Sequence, residues 1–226
     1  MMGQQVVDKY AKAREDVLRA VSEIPRKFTL LDCFCGMGGV SDGFALEGFD
    51  VTGIDIVDAP KMLGYKHRFI QADMMTLHGE DFRGYDVIWY SPPCIDFSTQ
   101  SQANKGYADR QPPNPERGLK IIEAVYRFTK NAQPKIWLME NVSRLEKFWN
   151  DKPILRFYTS RNGRRTLWGN LRFPIMFDIR PQRNMEYDYV KLSYRLRSAA
   201  RAKIPLACSC AFAKACEEKL LETQTI

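Results

Sequence analysis

The sequence has little histidine, no long apolar run and no zinc-type ligand spacing, and each shortage removes a class of protein. Only two histidines, His67 and His78, occur in 226 residues, and both lie far along the chain from the paired cysteines. The six cysteines stand at 33, 35, 94, 208, 210 and 216. Cys33-x-Cys35 and Cys208-x-Cys210 leave one residue between partners, where zinc ligands are usually separated by about two to four. The expectation is no metal site, but reduced, mostly buried thiols in a cytoplasmic (or nucleoid-associated) protein. No stretch approaches the roughly 18 uninterrupted apolar residues of a membrane span, and residues 1–22 show no signal-peptide pattern. No membrane partner is expected. Internal repeats and low-complexity tracts are lacking too.

What is present describes a folded, basic chain. Hydrophobic residues make up 45% and charged residues 27%, a globular balance. The length suits one full domain better than two. A net charge of +7 and a pI near 9.1 favour an acidic partner, with nucleic acid first in line.

The order of elements reads as α/β. Residues 4–22 carry Val6, Val7, Tyr10, Val17, Leu18 and Val21 at helical spacing. Short apolar runs follow at 28–34, 50–56, 67–74, 85–91 and 134–142, each read as a strand, with helical stretches at 41–48 and 116–132. Strands alternating with helices predict parallel pairing in a doubly wound sheet. Such sheets bind ligands beyond the carboxyl ends of their strands.

Three clusters at those strand ends can carry chemistry. In LLDCFCGMGGVSDGF (30–44) a strand runs into Gly36, Gly38 and Gly39 before a helix. The glycines let backbone approach a ligand and leave helix amides free. A phosphate loop or a tight structural turn would look similar, but the spacing is not the dinucleotide fingerprint and no Lys-Ser/Thr follows. Asp55 ends the next strand and Asp73 the one after it. Carboxylates there can take ribose hydroxyls and an adenine amino group, or serve as caps and turn residues. In GYDVIWYSPPCIDFS (84–98) Cys94 follows two prolines at a strand end. It is a candidate nucleophile if its neighbours lower its pKa, and a small core residue otherwise. In KIWLMENVSRL (135–145) Glu140 and Asn141 follow a strongly apolar strand, where a shielded carboxyl can hold a proton or cap a helix.

Together these clusters resemble the DNA cytosine-5 methyltransferases in order and spacing. Phe34, Gly36, Gly38 and Gly39 resemble that family's Phe-x-Gly-x-Gly-Gly cofactor motif. Pro93-Cys94 with Phe97-Ser98 resembles the Pro-Cys-Gln-x-Phe-Ser nucleophile motif, although Ile95 stands where glutamine is usual, and Glu140-Asn141-Val142 matches Glu-Asn-Val. The stretch 160–171 resembles the Gln-x-Arg-x-Arg strand with Arg165 at the second arginine. Arg161 and Gly163 replace the glutamine and the first arginine. In 201–216, Ala202 to Pro205 stand for the C-terminal Gly-Asn-x-Val.

The resemblance implies a Rossmann-like fold that uses S-adenosyl-L-methionine to methylate carbon 5 of a flipped cytosine in DNA. Cys94, Glu140 and Arg165 would be catalytic. Phe34, Cys35, Gly36, Met37, Gly38, Gly39, Asp55, Ile56, Asp73, Met74 and Pro93 would hold the cofactor. Pro92, Ser98, Asn141, Arg161 and Arg164 would meet the substrate, and the polar segment 98–113 would close over the flipped nucleotide. The parts would be a helical extension (1–27), the catalytic core (28–170), a reduced target-recognition segment (171–200) and a C-terminal helix (201–226). With only about thirty residues available for recognition, a second protein chain supplying it is a further expectation. The alternatives are an RNA cytosine-5 methyltransferase and a catalytically silent DNA-binding or regulatory subunit of the same fold.

Overall fold

A computed structural model describes residues 28–98, 112–159, 163–173, 200 and 202–224. The expected helix at 4–22, most of the loop 98–113, Arg161 and nearly all of the segment 171–200 lie outside these residues.

Among the described residues seven strands form one sheet: β1 (Phe28–Cys33), β2 (Phe49–Asp55), β3 (Arg68–Gln71), β4 (Val87–Tyr90), β5 (Ile136–Val142), β6 (Leu155–Tyr158) and β7 (Arg164–Gly169). Their spatial order is β3-β2-β1-β4-β5-β7-β6. The pairs β1–β2, β1–β4, β2–β3 and β4–β5 are parallel, and β7 runs antiparallel to both β5 and β6. This is a Rossmann-like doubly wound sheet, as the alternation of elements predicted. The β6–β7 hairpin was only half legible. Leu155–Tyr158 is short and half exposed, and follows no strong apolar run.

Among the described residues four helices cover the sheet: α1 (Gly39–Leu46), α2 (Ala59–Leu63), α3 (Pro115–Ala132) and α4 (Leu206–Gln224). Alternation along the strands splits the core in two. Leu30, Val51, Trp89 and Leu138 face Phe44 of α1 and Cys208, Phe212 and Cys216 of α4. Leu31, Ile54, Ile88 and Met139 face Ile122, Val125 and Phe128 of α3. Those three residues recur every third position, which gives α3 its apolar stripe. Asn114 starts α3 by accepting a hydrogen bond from the Arg117 amide (3.2 Å), with Pro115 at the first turn.

Close packing of α1 on α4 requires Gly43. A Cβ there would collide with the Ser209 side chain and come within 2.7 Å of the Cys210 backbone nitrogen. Phe212, fully buried, stacks against Trp89, Phe157 and Phe173. Phe212→Ala is expected to destabilise the fold by about 3–5 kcal/mol, read as a drop in the chemical denaturation midpoint. A loss under about 1 kcal/mol would show that the cluster collapses to fill the hole.

The six cysteines are free, four of them buried and Cys94 and Cys210 half-buried. Among the described residues no cluster of His, Cys, Asp or Glu is arranged to hold a metal ion. No described helix is long and apolar enough to cross a membrane.

Candidate active site

The strand order reverses between β1 and β4, because β2 and β3 are added on one side and β5 on the other. A crevice must therefore open at the carboxyl ends of these two strands. Ser91 follows β4 and donates its amide to the Cys33 carbonyl at 3.1 Å, which joins the two strand ends. Beyond them lies a cleft of about 270 Å³. Its wall includes Phe34, Cys35, Gly36, Met37 and Gly39 from the glycine loop, Pro92, Pro93, Cys94 and Ile95 after β4, Glu140 and Arg165. Ala202, Lys203 and Ile204 close it from the C-terminal segment. A wider surface depression, about 750 Å³, is lined by Pro112, Asn114, Arg117 and Phe148 and holds none of the candidate residues.

The glycine loop is shaped by backbone requirements at specific positions. Gly36 has φ +51°, and a Cβ built on it would meet nothing within 4 Å, so the residue faces open space. Gly39 is required for a different reason: a Cβ there would lie 2.7 Å from the Ile204 nitrogen. Phe34 itself sits at φ +62°, an unfavourable conformation for an aromatic residue that costs on the order of 1–3 kcal/mol. Strain of that kind is concentrated where ligands bind.

Beneath the loop is a group that the motif comparison missed. Gly38, the N-cap of α1, has no side chain, and Asp32 of β1 takes over as acceptor. Its Oδ2 accepts from the Ser41 amide (3.2 Å) and the Ser41 hydroxyl (2.6 Å). Ser41 in turn shares a hydrogen bond with the Tyr65 hydroxyl at 2.9 Å. An acidic residue inside the apolar run of β1 was the available signal.

Burial pushes the Asp32 carboxyl up to about 7 from 3.8, against the opposing hydrogen bonds from Ser41. A carboxyl whose folded pKa is raised binds more protons folded than unfolded. Its contribution to stability is therefore present below about 4 and lost as pH rises toward 7. Asp32→Asn removes this loss, so the melting temperature of the variant should gain on that of the wild type between pH 4.5 and 7.5. A difference that stays flat with pH would contradict a raised Asp32.

The other cofactor candidates differ in their surroundings. Asp55 ends β2 and accepts from the Gly36 amide at 3.0 Å and the Val57 amide at 3.2 Å, so it braces the loop with lone pairs to spare. Ile56 beside it is 62% exposed. Asp73 lies two residues past β3 and accepts from the Met75 amide at 2.9 Å, which closes a local turn. The Met74 side chain is buried in the core facing α3. Phe34 to Met37, Gly39 and Pro93 therefore form the wall of the cleft, and Gly38, Asp55, Ile56, Asp73 and Met74 do not line it.

At the other end of the cleft, three chain segments bring Cys94, Glu140 and Arg165 together. The strand β5 does not stop before Glu140 but continues through Val142, because β7 pairs with it to the end. Arg165 is opposite Val142 and Glu140 opposite Leu167, so Arg165 and Glu140 are diagonal neighbours on one face. Arg165 Nε lies 3.3 Å from Glu140 Oε1, an ion pair whose geometry is not that of a hydrogen bond. Both atoms are buried without a hydrogen-bond partner among the described residues. Burial raises the Glu140 carboxyl, and the Arg165 guanidinium opposes the rise. Burial also raises the Cys94 thiol, while the Arg165 charge and its hydrogen bond to the sulfur pull it back and the Glu140 charge pushes it up.

Asn141, expected as a substrate contact, also braces the site. It is fully buried; its Nδ2 donates to the Pro92 carbonyl (3.1 Å) and its Oδ1 accepts from the Val142 amide (2.8 Å). The side chain therefore ties the proline turn to β5 through the Pro92 carbonyl that was expected to meet the base. Ser98 is half-buried at the end of the Cys94 turn, and Arg164 is exposed on β7.

A doubly wound α/β protein with a thiol, a carboxyl and a guanidinium converging at its switch-point cleft is the class this geometry defines. The chain belongs to the C-5 cytosine-specific DNA methylase family, whose sequence model matches residues 28–160. It is 32% identical over 128 residues to the Type II methyltransferase M1.HphI of Haemophilus parahaemolyticus, a match that covers 52% of this chain and 33% of that protein. It is 28% identical over 129 residues to the Type II methyltransferase M.AgeI of Thalassovita gelatinovora, covering 50% and 27%. The chain thus spans about a third of the length of the curated relatives it matches. Among solved structures it resembles the magnesium protoporphyrin IX methyltransferase of Synechocystis PCC 6803 with bound SAM. That likeness has a TM-score of 0.39 and 17% identity, over 76% of this chain and 80% of the other.

Proposed function

We propose that this chain transfers a methyl group from S-adenosyl-L-methionine to carbon 5 of cytosine in DNA, through a covalent bond between Cys94 and the base. The observation that carries the reading is the convergence of Cys94, Glu140 and Arg165 on one cleft, with Glu140 Oε1 and Arg165 Nε buried and lacking partners. Family membership and the names of the relatives support the reaction class.

The glycine-loop end of the cleft suits the cofactor. Gly36 leaves open space where a side chain would stand, Phe34 and Met37 offer apolar wall, and Asp55 keeps acceptor capacity beside Ile56. S-Adenosyl-L-methionine supplies an electrophilic methyl group. The remaining steps fall to side chains of the protein.

Carbon 5 of cytosine is a poor nucleophile. Addition of the Cys94 thiolate to carbon 6 turns carbon 5 into an enamine carbon that can attack the methyl group. Arg165, next to the sulfur, favours the thiolate. Negative charge that would build on the ring is quenched when Glu140, in its acid form, donates to ring nitrogen 3. Burial favours that acid form. The unpartnered Arg165 Nε is placed to donate to the exocyclic oxygen. Loss of the carbon-5 proton to solvent and departure of Cys94 as the thiolate then restore the aromatic ring, and ring nitrogen 3 returns its proton to Glu140. A base within a duplex cannot reach this cleft, so the reaction requires it to be flipped out, at a cost of a few kcal/mol.

Methyl-labelled S-adenosyl-L-methionine offered with DNA and RNA of the same mixed sequence tests the assignment. Label recovered as 5-methylcytosine in the DNA is the expected result. Label confined to RNA, or to another base, would overturn it.

A further inference from the structure

The turn that carries Cys94 is anchored to α3 by a pair of side chains outside the catalytic trio, Asp96 and Arg117. Asp96, two residues past Cys94, is only 4% exposed. Its Oδ2 accepts from Arg117 Nε at 2.9 Å, and its Oδ1 accepts from a terminal nitrogen of the same guanidinium and from the Asn114 amide at 3.1 Å. A two-pronged guanidinium–carboxylate contact fixes orientation as well as distance. On the other side of the turn, Phe97 is buried against Gly118, where a Cβ would lie within 3.0 Å of Asp96 Cβ. Arg117 and Gly118 both belong to the first turn of α3, which rests on β4 and β5 through Ile122, Val125 and Phe128.

We infer that the Asp96–Arg117 pair positions the nucleophile: it ties the Cys94 turn to α3 and so fixes where the sulfur stands relative to Glu140 and Arg165. The backbone hydrogen bonds described within the turn are local. Phe97 donates its amide to the Cys94 carbonyl (3.1 Å) and Ser98 to the Ile95 carbonyl (3.4 Å), both within the turn. Asn141 holds its proline side through Pro92. Asp96 holds the other side, and the two ties flank Cys94. Attack on carbon 6 requires near-attack alignment, and a displacement of about 1 Å can reduce a rate on the order of 10²-fold. The inference rests on the reaction proposed above. It concerns positioning residues, since neither side chain touches the reacting atoms.

Four proteins test it: Asp96→Asn, Arg117→Met, the double variant and Arg117→Lys, which retains the charge if Arg117→Met fails to fold. Single-turnover capture of 5-fluorocytosine DNA should slow 10- to 100-fold in each single uncharged variant. The dissociation constants for DNA and for S-adenosyl-L-methionine should stay within about twofold. The double variant should be no slower than either single one, and Arg117→Lys should recover part of the rate. Amide hydrogen exchange in the same variants supplies a readout independent of activity. Faster exchange at Phe97 and Ser98, with β4 and β5 unchanged, is expected even if the wild type captures no DNA. Unchanged exchange at those amides, or additive losses in the double variant, would overturn the positioning role.

Discussion

Cys94→Ser should abolish methylation of DNA, with a fall in turnover of at least about 10⁴-fold, while S-adenosyl-L-methionine still binds. Replacing a nucleophile in a site where several groups act as a unit has effects of that order or larger. Serine is nearly isosteric but is far harder to ionise, and Arg165 alone cannot make it a comparable nucleophile. The Cys94 side chain shares the cleft with the glycine loop but supplies none of its backbone contacts, so the affinity for cofactor is expected to change less than about threefold. Equilibrium binding and steady-state turnover, measured side by side, decide the matter. Turnover within tenfold of the wild type would remove Cys94 from the reaction, and loss of cofactor binding would mean the substitution had disturbed the fold.

Glu140→Gln should reduce the rate of methyl transfer by about 10²–10⁴-fold, the range for loss of a general acid. Glutamine keeps the size of the side chain and can offer an N–H, but it has no proton to transfer to ring nitrogen 3. It also removes the negative charge that faces Arg165 at 3.3 Å. The pH profile provides the sharper check. Burial moves the Glu140 carboxyl upward, so the wild-type profile is expected to show a limb from this group as well as one from Cys94. The limb belonging to Glu140 should vanish in the variant. A profile unchanged in shape, with only its height reduced, would show that Glu140 acts by position and not by proton transfer.

Much of the architecture was legible from residue order. Apolar runs bounded by glycine and proline located β1, β2, β4 and β5 within a few residues, and the i, i+3 recurrence of Ile122, Val125 and Phe128 marked α3 almost to its ends. The strands that were harder to read, β3 and β6, are short edge elements with exposed residues, where alternation gives little contrast. Within the site, Cys94, Glu140 and Arg165 were each identifiable, but their convergence was not, because it depends on the diagonal register of β5 and β7.

Side chains that act on other parts of the protein were the ones missed. Asn141 in the Glu-Asn-Val motif suggested a substrate contact, and its bonds to Pro92 and Val142 were not legible beside it. Asp32 pairs with Ser41 nine residues along and Asp96 with Arg117 twenty-one residues along, and neither pairing has a local spacing that sequence can show. Motif reading finds residues that touch ligands more readily than residues that hold them in place.

The most direct measurement is covalent capture. Incubation with S-adenosyl-L-methionine and DNA containing 5-fluorocytosine should leave the protein attached to the DNA, because fluorine at carbon 5 blocks the final elimination. The account predicts an adduct that forms with the wild-type chain, requires the cofactor and is absent in Cys94→Ser. An adduct that persists in Cys94→Ser, or methylation of ordinary cytosine with no capture of the fluorinated base, would contradict a covalent Cys94 mechanism.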